Sequence, residues 1–169
     1  LNDNMKQKIG VLAIQGSFAE HGKMLEKLGK DFVWVRTKAS LEDLTHLILP
    51  GGESTTMTKL LKMFEMWDLL QEKINAGELK ILATCAGAIL CERFGLNTKI
   101  DRNAYGSQQS SFVDTLESEK FPNLQGVFIR APKFLSVEND CKVLATYRNE
   151  PVLVEEGNFL AMSFHPEIS

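Results

Sequence analysis

An apolar run stops at a cysteine set between small residues, in Lys80-Ile81-Leu82-Ala83-Thr84-Cys85-Ala86-Gly87-Ala88-Ile89-Leu90, and a second apolar run starts at once. A short buried strand followed directly by a helix, with a reactive side chain at the turn, is the cysteine counterpart of the nucleophile elbow. Ala86 and Gly87 permit the tight backbone, and the helix N-terminus lends partial positive charge to the sulfur. Few folds accommodate this pattern. It requires a sheet edge-on to the turn and a helix lying back across that sheet.

The flanking segments fit that requirement. Lys8 to Gln15 reads as a buried parallel strand ending at Gly16. Ser17 is placed to cap a helix running to Leu28, with Glu20 completing a capping box and Gly29 stopping it. Phe32 to Val35 and His46 to Leu49 read as strands, the latter closed by Pro50-Gly51-Gly52. Thr55 to Ala76 carries helical apolar spacing with a break near Met66, and Lys80 to Thr84 is the fourth strand. After the elbow the pattern changes to strand candidates at Ser110–Leu116, Gly126–Arg130, Lys142–Tyr147, Pro151–Glu155 and Phe159–Phe164, with Glu156-Gly157-Asn158 as a hairpin turn. The expectation is one α/β domain over residues 1–169, a three-layer sandwich whose mixed, mainly parallel central sheet is flanked by helices. Leu1 to Asn4 precede a methionine and are left outside the fold argument.

In such sheets the working loops lie beyond the carboxyl ends of the strands. Pro50–Ser54, Cys85 and His165 each follow a strand, so all three can converge there. Cys85 is then the candidate nucleophile and His165 its general base. Glu167, two residues on, would share a face with His165 in an extended segment and could orient the imidazole as the third member of a triad. Ala86 N–H and Gly52 N–H are the candidate oxyanion donors, Gly52 because a glycine loop can turn its backbone inward.

Composition narrows the alternatives. A net charge of −3 gives no footprint for nucleic acid or an anionic membrane surface. No apolar run approaches the roughly 20 residues of a membrane span. Three cysteines without framework spacing argue for a reducing compartment, the cytoplasm by default. No metal-ligand spacing and no nucleotide fingerprint appear, so no cofactor is expected. Cys91 and the Met57, Met63 and Met66 group read as core, Cys141 as incidental in a polar turn, His46 as without chemistry, and His21 as an ordinary surface histidine.

The ordered motifs Leu12–Gly16, Glu20-His21, Pro50–Thr56, Thr84–Gly87, Arg102–Gly106, Ser111-Phe112, Phe128–Pro132 and His165–Glu167 span nearly the whole chain. With them the chain resembles the class I (triad) glutamine amidotransferases, in the branch serving pyridoxal 5′-phosphate synthase. The resemblance implies hydrolysis of L-glutamine to glutamate and ammonia through a thioester on Cys85. It implies delivery of the ammonia to a synthase subunit in a hetero-oligomeric complex, with the glutaminase switched on by that partner. It also implies that Gly52, Glu53, Ser54, Arg102, Ile129 and Arg130 hold glutamine, and that Gln15, Glu20 and His21 lie near the partner-facing side. A guanidinium suits the α-carboxylate, since it offers paired donors to a planar anion.

Against the family pattern, the stretch from Cys91 to Gly95 is short, which reads as residues absent there rather than a trimmed loop. The chain also stops at Ser169, where family members continue into a closing helix. Two other functions stay open at this point: a partner-independent cysteine hydrolase of related fold, γ-glutamyl hydrolase or peptidase-like, and a degenerate glutaminase kept only for docking.

Overall fold

The computed structural model describes residues 6–101, 112–128, 131–137 and 140–168. Its elements in chain order are β1 (Ile9–Leu12), α1 (Phe18–Lys27), β2 (Phe32–Val35), a 3₁₀ turn (Lys38–Leu41), β3 (His46–Leu49), α2 (Ser54–Met63), α3 (Trp67–Asn75), β4 (Lys80–Thr84) and α4 (Ala86–Arg93). There follow β5 (Thr98–Asp101), β6 (Phe112–Thr115), β7 (Gln125–Phe128), β8 (Lys133–Val137), β9 (Lys142–Tyr147), β10 (Glu150–Glu156) and β11 (Phe159–Met162).

Seven strands form the central sheet in the order β2-β1-β3-β4-β11-β10-β9. The first five run parallel, and β10 and β9 are added antiparallel. Strands buried on both faces carry unbroken apolar runs, as Leu47-Ile48-Leu49 and Ile81-Leu82-Ala83 do. Their side chains divide by parity. Leu47, Leu49, Ile81 and Ala83 join the core shared with Met57 and Leu61 of α2, Leu70 of α3 and Leu90 of α4. Val11 and Ile48 face the other way, onto Leu25 of α1.

That second face is not covered by helix alone. Beyond α1 it carries the β6–β7 hairpin, whose Phe128 packs with Phe164, Met162 and Leu153. The ribbon β5–β8 is a further small sheet, and neither β5 nor β8 is anticipated by the sequence pattern. The expected layered sandwich is therefore present with part of one layer built from strand. Among the described residues no helix is long and apolar enough to cross a membrane.

Local details depart from expectation in instructive ways. Ser17 occupies the N-cap of α1 but its side chain makes no capping hydrogen bond, so the capping box with Glu20 does not form. The C-terminus behaves as expected: Gly29 has φ +69°, with Gly29 N–H donating to Glu26 O and Lys30 N–H to Leu25 O. The long helical pattern is split at Phe64–Met66, where Glu65 has φ +59°. Met57 and Met66 are buried, but Met63 is exposed, since it lies off the face of α2 that Met57 and Leu61 turn to the core. Helix α4 ends in a closed cap, with Gly95 at φ +117° and Leu96 N–H donating to Cys91 O at 2.8 Å. That cap brings the chain directly from α4 into β5.

Gly87 shows how tightly α4 sits on the sheet. A Cβ there would lie 2.2 Å from the backbone oxygen of Leu49 and 3.1 Å from that of Pro50. In an unconstrained helix Gly→Ala gains about 1 kcal/mol. Overpacking against backbone costs about 1–3 kcal/mol. Gly87→Ala is therefore expected to lower the unfolding free energy in urea by up to about 2 kcal/mol; raised stability would contradict this packing.

Candidate active site

Cys85 sits between β4 and α4 with φ +50° and ψ −116°, a conformation L-residues avoid, costing of order 1–3 kcal/mol. The flanking structure over-determines it. Cys85 N–H donates to Met162 O at 2.8 Å, and Ala88 N–H to Cys85 O at 3.0 Å. The elbow read from the sequence is present, and Cys85 is 8% exposed. Ala86 opens α4, so its N–H belongs to the first-turn donors that lack an intrahelical acceptor.

His165 reaches Cys85 because β11 pairs parallel with β4, Met162 opposite Thr84. Both chains therefore leave the sheet at the same end. The hairpin then pins the next turn, with His165 N–H donating to Val127 O at 2.8 Å. The imidazole is hydrogen-bonded to the Cys85 side chain, and its Nδ1 lies 2.7 Å from Glu167 Oε2. With Nδ1 engaged by the carboxylate, the other ring nitrogen is left for the sulfur. Glu167 does not reach His165 along an extended strand, as the spacing suggested. Pro166 and Glu167 form a turn that folds the carboxylate back onto the ring.

Charge is distributed accordingly. Burial opposes a charged His165, but its hydrogen bonds to Cys85 and Glu167, and their negative charge, outweigh that and raise its pKa to about 10. Burial likewise pushes Glu167 up. The hydrogen bond from His165 and the neighbouring His21 and His165 overcome this and hold it below the usual carboxylate range. The other thiols have no such company. Complete burial pushes Cys91 far above the ordinary thiol range. Burial also raises Cys141, which Thr98 Oγ1 meets at 3.5 Å. Cys141 is a buried member of the core rather than an incidental turn residue.

The glycine loop packs against the same centre. A Cβ on Gly51 would lie 2.8 Å from His165 Cε1 and 3.2 Å from Cys85 Cβ, so a glycine lets the loop lie against both. The sequence pattern pointed to Gly52 rather than to this neighbour. The loop is tied to the β1–α1 turn twice, by Ser17 N–H to Gly51 O at 2.8 Å and Glu53 N–H to Gln15 Oε1 at 2.9 Å. Because a trans peptide points N–H and C=O oppositely, Gly52 N–H leaves on the side away from Ser17. The Glu53 side chain turns into α2 and caps it, accepting from Thr55 N–H at 3.2 Å and Thr56 N–H at 2.8 Å. Ser54 is buried at the first position of that helix. Arg102, Ile129 and Arg130 lie outside the described residues.

His21 is the residue most misjudged from sequence. It is 4% exposed, with Nε2 3.1 Å from Thr84 Oγ1 and 3.6 Å from Glu167 Oε2. A signal exists in the sequence: Phe18, His21 and Leu25 recur at three and four residues, the stripe that α1 turns toward the sheet. Burial lowers its pKa, so the ring is neutral beside the carboxylate. Among the described residues no group of three or more His, Cys, Asp or Glu side chains is arranged to hold a metal.

Comparison with known proteins places the chain among glutamine amidotransferases. The profile of the SNO glutamine amidotransferase family matches residues 11–169. The chain is 43% identical to the pyridoxal 5′-phosphate synthase subunit PdxT of Kosmotoga olearia, over 96% of this chain and 91% of that protein. It is 43% identical to the protein of the same name from Thermus thermophilus, over 98% and 92%. A crystal structure of a glutamine amidotransferase superimposes with a TM-score of 0.89 at 42% identity, covering 95% of this chain and 91% of the other. A second glutamine amidotransferase, from Thermotoga maritima, shares the fold at 16% identity and a TM-score of 0.71, over 98% and 78%.

The sign of the pH dependence follows from the two shifts. His165, raised in the folded state, contributes stability that is full below its unfolded pKa of about 6.5 and is lost as pH rises toward 10. Glu167, lowered, contributes stability present above its unfolded value and lost as pH falls through the folded one. The imidazole of His165 followed by NMR is expected to stay protonated through neutrality and to titrate near 10. In Cys85→Ala, which removes the sulfur, its midpoint should fall. A wild-type midpoint close to that of a free imidazole would contradict the pairing.

Proposed function

The chain belongs to the SNO glutamine amidotransferase family, and on that premise we propose that Cys85, His165 and Glu167 hydrolyse L-glutamine to L-glutamate and ammonia for a pyridoxal 5′-phosphate synthase. The single observation that carries this reading is the continuous contact from the Cys85 side chain through His165 to Glu167.

The steps follow from that contact. The Cys85 sulfur attacks the γ-amide carbon of glutamine while His165 holds the thiol proton. The carbonyl oxygen becomes an oxyanion, stabilised by Ala86 N–H and by Gly52 N–H. His165 passes its proton to the departing nitrogen, ammonia leaves, and a γ-glutamyl thioester remains on Cys85. A water molecule, deprotonated by His165, then attacks the thioester, and glutamate and the thiol are regenerated. Glu167 orients the imidazole and stabilises its charged form throughout, without itself taking the proton.

Gly52, Glu53, Ser54, Arg102, Ile129 and Arg130 are proposed to hold glutamine, with Arg102 and Arg130 available to its α-carboxylate. For Glu53 the backbone is the available part, since its carboxylate caps α2. The partner is the synthase subunit that consumes the ammonia, as the name carried by the relatives from Kosmotoga olearia and Thermus thermophilus implies. Ammonia would pass to it within a hetero-oligomeric complex, in the cytoplasm.

Glutamate release assayed with and without the synthase subunit tests the whole reading. The rate is expected to rise sharply on adding the synthase; a free chain already at full rate would favour a partner-independent hydrolase. Cys85→Ala should abolish release while leaving the fold and partner binding intact. Glu167→Gln should slow turnover, less severely than His165→Ala. Activity retained by Cys85→Ala would refute the nucleophile.

A further inference from the structure

Beneath the triad lies a buried imidazole that the mechanism above does not use. His21 projects from α1 into the space behind Glu167, with no exposure that a surface role would require. Its Nε2 is 3.1 Å from Thr84 Oγ1 and 3.6 Å from Glu167 Oε2. The same carboxylate oxygen receives His165 Nδ1 at 2.7 Å. The other oxygen, Oε1, has no hydrogen-bond partner among the described residues.

The carboxylate therefore fixes the tautomer of His21. A ring nitrogen lone pair aimed at an anion 3.6 Å away would be repelled, whereas an N–H dipole is attracted. Nε2 must carry the proton, donating it to Thr84 Oγ1 and presenting its positive end to Glu167. Thr84 is fully buried and immediately precedes Cys85 in the chain. The contacts thus close a ring from Cys85 through His165, Glu167, His21 and Thr84 back to the nucleophile's own backbone.

We propose that His21 is a positioning residue: its Nε2–H, anchored on the Thr84 hydroxyl, faces Glu167 Oε2 and keeps that carboxylate ionised and aimed at His165. A buried carboxylate held only by His165 and its own backbone N–H would otherwise swing or take up a proton more readily, and the imidazole would lose its orientation. The titratable groups facing this pair are His165 and, through it, Cys85, with Glu20 alongside on α1. The proposal rests on the triad reading of Cys85, His165 and Glu167.

The test measures glutaminase kinetics in the presence of the synthase subunit for His21→Leu, which removes the N–H, and His21→Gln, which returns a side-chain N–H near the position of Nε2. His21→Leu is expected to lower kcat roughly ten- to a hundredfold, by analogy with the outer partners of metal-bound imidazoles, with KM for glutamine nearly unchanged. The acidic limb of its kcat/KM profile should move to higher pH, because Glu167 protonates more readily. His21→Gln should recover most of the rate and return the limb.

A folded His21→Leu protein with unchanged kcat and limb would overturn the proposal, and so would a His21→Gln protein as impaired as the leucine variant. Should His21→Leu fail to fold, Thr84→Val keeps the ring but removes its anchor. It should show a smaller loss with the same upward shift, and an unmoved limb there would equally overturn the idea. The pH dependence of iodoacetamide alkylation at Cys85, read by peptide mass, needs neither glutamine nor synthase. It separates failure of this proposal, an acidic limb identical in wild type and variants, from failure of the glutaminase reading, an enzyme silent toward glutamine.

Discussion

Parallel pairing of β11 with β4 is the contact from which the site is assembled. It sets Met162 opposite Thr84, so that the chain leaving β11 and the chain leaving β4 emerge at the same end of the sheet. An antiparallel β11 would have sent His165 to the opposite end, and no adjustment of loops could have returned it to the sulfur. The same ladder clamps the elbow, since Met162 O accepts the N–H of Cys85 itself. The strained backbone at the nucleophile is thus held by the strand that delivers its base. One register sets both the conformation of the thiol and the position of the imidazole.

Around that register the packing leaves almost no freedom. Gly87 lets α4 touch the end of β3, Gly51 lets the loop after β3 lie against Cys85 and His165, and Gly16 lets the β1–α1 turn reach Gly51 O, where a Cβ would stand at 2.1 Å. Helix α4 and the β1–α1 turn thus approach the chain after β3 at backbone distance, and that chain in turn meets the side chains of Cys85 and His165, each time at a glycine. Rigid elements hold the reacting groups, and the loop bearing the candidate oxyanion donor is tethered by Gln15 and Ser17 rather than by packing alone. Hydrogen-bond tethers of this kind exchange more readily than core contacts, which makes the loop the part of the site most open to adjustment by a bound partner.

Much of this could be read from residues in advance, for reasons that differ by element. The parallel strands announce themselves because burial on both faces demands unbroken apolar runs, and β2, β3 and β4 fall on the expected residues. The elbow is legible because few other contexts place a cysteine between a strand and small residues. Strands β5 and β8 are not legible: Thr98–Asp101 mixes a buried threonine with an exposed lysine, and its partner lies far along the chain. The Ser17 box fails because a cap signature specifies side-chain types but not the backbone angles that the adjoining loop imposes; at φ −86° and ψ +53° the hydroxyl cannot reach the N3 amide. Glu167 comes to His165 through the turn at Pro166 rather than along a strand, which a two-residue spacing does not reveal.

His21 exposes a general weakness of composition-based judgement. A histidine on an amphipathic helix is ordinarily solvated, so its burial is visible only through its spacing from Phe18 and Leu25, and its purpose only through what lies behind the sheet end. Once buried, it cannot be inert. A neutral imidazole within 3.6 Å of a carboxylate that has lost its water must either lower the energy of that charge through an N–H or raise it through a lone pair. The Thr84 hydroxyl can act as donor or acceptor and so permits either tautomer; it is the charge on Glu167 that decides between them. That charge in turn is favoured by the hydrogen bond from His165 and by the neighbouring His21 together. Helix α1, which carries no reacting group, is thereby coupled electrostatically to the nucleophile, and a displacement of α1 relative to the sheet would be felt at Glu167 before it was felt at the sulfur.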